Sequence, residues 1–145
     1  MAEKKPQTLQ NHARIDPLFH LFLSPVALIL LIAAAYNLYA NPSWKSGAFL
    51  LGAVAAFVAL FKIRLYALKV QDRVIRLEER LRLERLLSEP LKSRIYELTE
   101  QQLIALRFAS DGELPALVEK TLKGNLPPKE IKQAIQSWRP DYWRV

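Results

Sequence analysis

Two patterns of apolar residues divide the chain. From Leu18 to Phe61 apolar side chains run almost without interruption, and Lys45 is the only ionised residue among them. Past Phe61 charge becomes dense and apolar residues recur every three or four positions, the spacing of amphipathic helices. No helix breaker falls between Phe61 and Pro90; beyond Pro90 the pattern shortens into several small amphipathic pieces. The pattern predicts an all-α membrane protein: a two-helix transmembrane hairpin whose second helix extends into the cytoplasm, followed by a C-terminal cap of short helices. The boundaries read from it are an N-terminal segment 1–16, the hairpin 17–66, the helical extension 67–88 and the cap 89–145.

The first span, Leu18 to Ala40, is ~34 Å long as a helix, enough for a hydrocarbon core of ~30 Å. Pro17 suits its first turn, Pro25 is expected to bend it, and Tyr36 and Tyr39 fit the far interfacial belt. The second run, Ser46 to Phe61, reaches only ~24 Å, so Trp44 and Lys45 at one end and Lys62 and Arg64 at the other are expected to serve as membrane-interface anchors. The turn formers Asn41, Pro42 and Ser43 between the runs make the two helices antiparallel neighbours. A cleaved signal segment is the competing reading, given Lys4, Lys5 and Arg14 before the first run and Ala33 to Ala35 within it. The length of that run and the second run directly behind it favour the hairpin.

Charge sets the orientation. Three Lys or Arg precede the first span, one lies in the loop and seventeen follow from Lys62 onward. The positive-inside rule therefore puts both termini in the cytoplasm and the loop outside.

Along the second helix, Ala53, Ala56, Leu60, Ile63, Ala67, Val70, Val74, Leu77 and Leu81 form a seam with alternating spacings of three and four, as in a coiled coil. Ala48, Gly52, Ala55 and Ala59 add a stripe of small residues within the span. The seam can bury against a second copy or against the chain's own C-terminal helices. In a parallel pair Arg73 faces Glu78 favourably while Arg80 faces Arg85 unfavourably, so charge leaves the choice open. Leu68, Ile75, Leu83, Leu86 and Leu87 widen the apolar stripe, and both kinds of contact are expected. Lys62, Lys69, Arg73, Arg76 and Arg80 line a basic stripe beside the seam, and Arg73, Arg76 and Arg80 are candidate partner-binding residues. Their plainer reading is solvated pairing with Asp72, Glu78, Glu79 and Glu84. Arg76 and Arg82 read as exposed. Acidic interruptions and the lack of an adjoining aromatic argue against nucleic acid.

In the cap, a short helix is expected near Leu91 to Leu98. Thr99 with Gln102 forms a capping box opening a second through Phe108. Ser110 or Asp111 is expected to cap a third, closed by Lys123, Gly124 and Asn125. Pro127 and Pro128 start a fourth that runs to about Trp138. Leu103, Ile104, Leu106, Leu114, Leu117, Leu122, Ile131, Ile135 and Trp138 are the expected core, shared with the long helix because so small a cap cannot hold itself together alone.

The stretch Val70–Leu87, the run LTEQQLIALRFASDGELPALVEK from Leu98 to Lys120, the terminal IKQAIQSWRPDYWRV and the N-terminal NHAR of Asn11 to Arg14 resemble a family of small bacterial two-span membrane proteins of unknown function. The resemblance implies a bacterial inner membrane and one cytoplasmic helical region. It brings no activity with it.

Composition narrows the chemistry further. The 145 residues include no cysteine, which excludes disulfides, thiolate zinc sites, iron–sulfur clusters and a cysteine nucleophile. The two histidines, His12 and His20, straddle Pro17 without a supporting carboxylate pattern, and His20 reads as an interfacial residue. Glu78 and Glu79 are ~100° apart on a helix and do not converge. No phosphate loop or zinc-protease pattern occurs, so no enzyme and no cofactor is expected. The expected role is that of a scaffold, assembly factor or accessory subunit, with the lipid bilayer and a homo-oligomer or larger membrane complex as partners. The rival is a small oligomeric pore or transporter component, which the lack of an intramembrane carboxylate and the short loop disfavour.

Overall fold

The computed structural model describes residues 8–10 and 15–141. The NHAR stretch with His12, the basic residues Lys4 and Lys5, and the last four residues of the terminal motif lie outside the described residues. Among the described residues the chain is helical throughout, with no strand, and two of its helices are long and apolar enough to cross a membrane. It divides into two units, Ile15–Lys69 and residues 70–141.

In the first unit, π-helical turns at Leu18–Leu23 lead into α1, Ser24–Ala40. Pro25 has no N–H, and in a regular helix its ring would press on the carbonyl four residues back. The turns before it widen instead. The Ser24 N–H reaches Phe19 O, five residues back, and Ser24 Oγ donates to the same carbonyl at 2.8 Å. Pro25 thereby falls in the first turn of α1, where a missing N–H costs nothing. Asp16 secures the entrance: its Oδ1 accepts from the Phe19 N–H at 3.3 Å and its carbonyl from the His20 N–H at 2.9 Å.

The connection to α2, Trp44–Leu86, is a reciprocal cap that sequence reading took for a plain turn. Ser43 Oγ accepts from the Ser46 N–H at 3.2 Å, and Ser46 Oγ accepts from the Ser43 N–H at 3.0 Å. Ser thus plays both halves of a capping box, and the Ser46 side chain is buried in doing so. Farther along, the Phe19 and Phe61 rings meet edge to face at 5.6 Å, and Arg64 lies over Phe19 and 3.6 Å from Asp16. Only Ala34 and Ser46 are buried among the described residues of this unit.

The second unit starts at Val70, so this part of α2 belongs with the short helices. After Leu86 the chain passes the cis Glu89–Pro90 bond into a 3₁₀ helix, Lys92–Glu97. Then come α3, Glu100–Leu106; α4, Leu114–Gly124; and α5, Pro128–Ala134. The capping box at α3 is as expected: Thr99 Oγ1 accepts from the Gln102 N–H, and the Gln102 side chain accepts from the Thr99 N–H. Gln102 also donates to Asn125 Oδ1 and Leu126 O, tying this cap to the end of α4.

Three boundaries differ from expectation. Helix α3 stops at Leu106, short of Phe108. Neither Ser110 nor Asp111 caps α4, whose N-cap is Glu113 with Pro115 in the first turn. Asp111 is drawn to Arg82, and the Glu113 carboxylate reaches back to the Ser110 N–H and across to the N–H groups of Gln136 and Ser137. Helix α5 ends at Ala134 because residues 135–139 turn to the backbone after α3: Ser110 N–H donates to Ser137 O and Arg139 N–H to Phe108 O at 2.7 Å. At the end of α4 the left-handed residue is Asn125, φ 44°, and the Leu126 N–H closes on Thr121 O.

The core of this unit runs from Leu83 and Leu87 through Ile95, Leu103, Leu106 and Phe108 to Leu114, Val118, Ile131 and Ile135. Leu122 and Trp138 pack against it half-buried. The small cap thus recruits Leu83 of the long helix and Leu87 just past its end to complete its interior.

Candidate functional site

Within the second unit α2 carries two apolar faces. In heptad terms the seam residues Val74 and Leu81 occupy a and Val70 and Leu77 occupy d, while Ile75, Glu79, Arg82, Leu83 and Leu86 fall at b, c and f, on the other side of the helix. The short helices take the second face: Ile75, Glu79, Arg82 and Leu83 are buried, and Leu86 is half-buried against the core. The seam keeps outward, with Val70 62%, Val74 48%, Leu77 60% and Leu81 58% exposed. Of the apolar residues that widen the stripe, Ile75, Leu83, Leu86 and Leu87 are therefore the ones covered within the second unit, while Leu68 lies half-buried in the first. The regular seam is not used within the second unit. Its earlier members lie in the first unit, where Ile63 is exposed, Ala56 and Ala67 are exposed, and Ala53 and Leu60 are half-buried.

The three candidate partner-binding arginines have separate fates. Arg76 pairs with Glu100 of α3 and donates from Nε to Asp72 O. The Arg80 guanidinium lies 5.6 Å from the centre of the Tyr96 ring, whose hydroxyl donates to Glu84 Oε1 at 3.3 Å. Arg73 points outward, as does Glu78. Of the interface anchors, Trp44, Lys45 and Lys62 are exposed, whereas Arg64 is largely covered through Phe19 and Asp16.

Beneath the seam lies an ion network that sequence reasoning missed. Arg82, read as exposed, is 6% exposed and joins α2 to the segment between α3 and α4. Its Nη1 donates to Glu79 Oε2 at 3.0 Å, its Nε to Asp111 Oδ1 at 2.7 Å and its Nη2 to Ala109 O at 2.7 Å. Arg139 approaches the other Glu79 oxygen at 3.4 Å, and Arg107 lies 3.4 Å from Asp141 and over the Phe108 ring. Burial pushes the Glu79 carboxyl above the ordinary glutamate value, against the pull of the Arg82, Arg139 and Arg107 guanidinium groups. The hydrogen bond from Arg82 holds exposed Asp111 below its ordinary value. Both Glu79 oxygens are engaged, so the group ties helix α2 to the segments around Ala109 and Arg139. The three-residue spacing of Glu79 and Arg82 was visible in the sequence, but their burial was not, since it depends on Asp111, twenty-nine residues on.

Among the described residues no group of three His, Cys, Asp or Glu side chains gathers as a metal site. A model of the family of unknown function DUF6526 matches the chain over residues 1–145. The chain belongs to this family. No curated protein and no solved structure matches it. Membership bears out the resemblance to a family of unknown function, and the family brings no activity with it.

Proposed function

We propose that this chain is an integral membrane protein of the bacterial inner membrane, a helical hairpin with both termini in the cytoplasm. It acts without catalysis as a scaffold, assembly factor or accessory subunit through its cytoplasmic helices. The observation that carries this reading is the outward-facing apolar surface of Ile15–Lys69. Leu21, Ile29, Leu30, Ile32, Phe49 and Leu51 are all more than half exposed on helices that bury almost nothing, and hydrocarbon is the medium in which such a surface is stable. The Phe19–Phe61 and Arg64–Asp16 contacts support antiparallel spans, with the pair at the water interface where Arg64 anchors the second span. The excess of Lys and Arg outside the short loop supports the orientation. The association role rests on the exposed apolar seam, since a soluble helix face of this kind is stable when covered.

A reporter active only outside the cytoplasm should stay silent when fused to either end, and a signal from one end alone removes the hairpin. The protein should bring down a membrane complex whose assembly falters in a deletion strain, and in reconstituted vesicles it should carry no ion flux. Flux in those vesicles replaces the scaffold reading with that of a pore component.

A further inference from the structure

We infer that the face Val70, Val74, Leu77 and Leu81 is the docking surface for the same face of a second copy of this chain, aligned in parallel. This deepens the proposed function and rests on its membrane reading, because two copies inserted in one bilayer in the same orientation present these helices side by side and pointing the same way.

Three observations carry the inference. The face is regular, two a and two d positions in register, and each of its four residues stays about half or more exposed although the same helix buries its opposite side completely enough to take in Leu83, Glu79 and Arg82. The flanking charges suit a parallel pair. Arg73 at g and Glu78 at the following e are both exposed, and in a parallel dimer each Arg73 faces the partner's Glu78 on both sides of the seam.

The third observation removes the obstacle. A parallel pair would also set Arg80 against Arg85, a like-charge contact that works against association. The Arg80 guanidinium is instead held over the Tyr96 ring of its own chain, drawn off the seam. The next d position is Glu84, which accepts from the Tyr96 hydroxyl, so the seam ends at Leu81, before the Arg85 level is reached. Four apolar layers make a short contact. Chains already confined and oriented by a bilayer lose little freedom on docking, so a short contact suffices.

The absence of cysteine makes the test direct, since any introduced cysteine is the only one in the chain. Full-length Leu77→Cys in membranes should form a disulfide-linked homodimer under mild oxidation, and Lys120→Cys, on the exposed side of α4, should not. Arg73→Glu in the Leu77→Cys background should lower the dimer yield about three- to tenfold by setting like charges across both flanks, Glu78→Arg should do the same, and the double exchange should restore it. Equal crosslinking at positions 77 and 120, no dimer at 77, or a heterologous adduct in place of the dimer each overturns the inference. Failure of the double exchange to rescue overturns the parallel alignment. The fraction of protein remaining with the membrane after alkaline extraction separates the two claims: retention without a dimer leaves the membrane reading standing alone, while release into the soluble fraction overturns that reading and the inference built on it.

Discussion

The two units solve opposite problems with the same element. In Ile15–Lys69 apolar side chains cover the outside of two long helices and the buried residues are one alanine and one serine. In residues 70–141 the apolar side chains turn inward around Phe108, and the charges left beneath the surface are paired with one another. Helix α2 runs through both. In the second unit it carries a helical period of apolar residues on two faces, and only one face is spent on its own chain. The difference shows that an apolar residue on this helix has no fixed meaning. What covers it depends on whether short helices fold back against it.

The sharpest break in the comparison is a core truncation. Phe108 is wholly buried, stacks on Trp138 at 5.1 Å and holds the centre of the second unit. Phe108→Ala should cost about 3–5 kcal/mol through lost burial and the cavity left behind. It should be read as a lower urea midpoint for protease cleavage within 70–141, measured on the full chain in a membrane mimetic. Leu30→Ala in the first unit, at a side chain already more than half exposed, should leave that midpoint unchanged.

A smaller break comes from Arg82. Arg82→Met leaves the Ala109 carbonyl without its donor and Glu79 with only half-exposed Arg139. A loss of about 3 kcal/mol is expected, the low end for breaking a buried pair because one guanidinium remains. Arg76→Met, at a pair whose Glu100 is largely exposed, should change the same midpoint by no more than about 1 kcal/mol.

The same network sets the response to pH. Glu79 has a folded pKa above its ordinary value, so the folded state takes up a proton that the unfolded chain releases. Its contribution is fully present below the ordinary glutamate value and is lost as pH rises through the raised one. Asp111, held low by Arg82, acts in the other direction: its contribution is present above the ordinary aspartate value and is lost as pH falls through the depressed one. Glu97 beside Arg94 and Glu119 beside Lys123 add to that acid-side loss. Stability of the second unit should therefore peak in the mildly acidic range. Glu79→Gln should flatten the decline toward neutral pH and leave the acid limb, whereas Asp111→Asn should soften the acid limb. An unaltered neutral-side slope in Glu79→Gln would show that burial does not govern this carboxyl.

What could be read from the sequence follows from the range of the interactions involved. The charge-free runs, the Thr99–Gln102 box and the Pro-led start of α5 depend on neighbours within a few residues, and they stand as expected. The sequence separates a regular seam from additional apolar residues but reads the latter as widening one stripe, whereas Ile75, Leu83 and Leu86 lie on the other side of the helix, under the short helices. One local feature, the reciprocal Ser43–Ser46 cap, reads as a plain turn because serine at both positions lacks the usual Glu or Gln; the other differences involve partners far along the chain. Asp111 has the chemistry of an N-cap but is claimed by Arg82, and Arg82 has the look of a solvated arginine until Glu79, Ala109 and Asp111 surround it. The end of α5 was misplaced because Phe108 O takes the Arg139 N–H, a bond across thirty-one residues that no local pattern announces.

The finest comparison sets one cap against the other. Thr99 and Gln102 open a seven-residue helix, and Ser43 and Ser46 open one of forty-three residues with the same reciprocal bonds. A helix of two turns is far below the length that sustains itself in water, so each capping bond bears on whether α3 forms and whether Leu103 and Leu106 reach the core. Thr99→Ala should cost the second unit about 1 kcal/mol, a measurable fall in its urea midpoint. In α2 the first turn is a small fraction of a helix sustained by its many later turns, so Ser43→Ala should fray only that end. Amide hydrogen exchange should rise at Lys45 and Ser46, stay unchanged from Leu50 onward, and leave the midpoint of the second unit where it was. Faster exchange spreading along α2 would show that the cap, and not the length of the helix, sets the stability of the first unit.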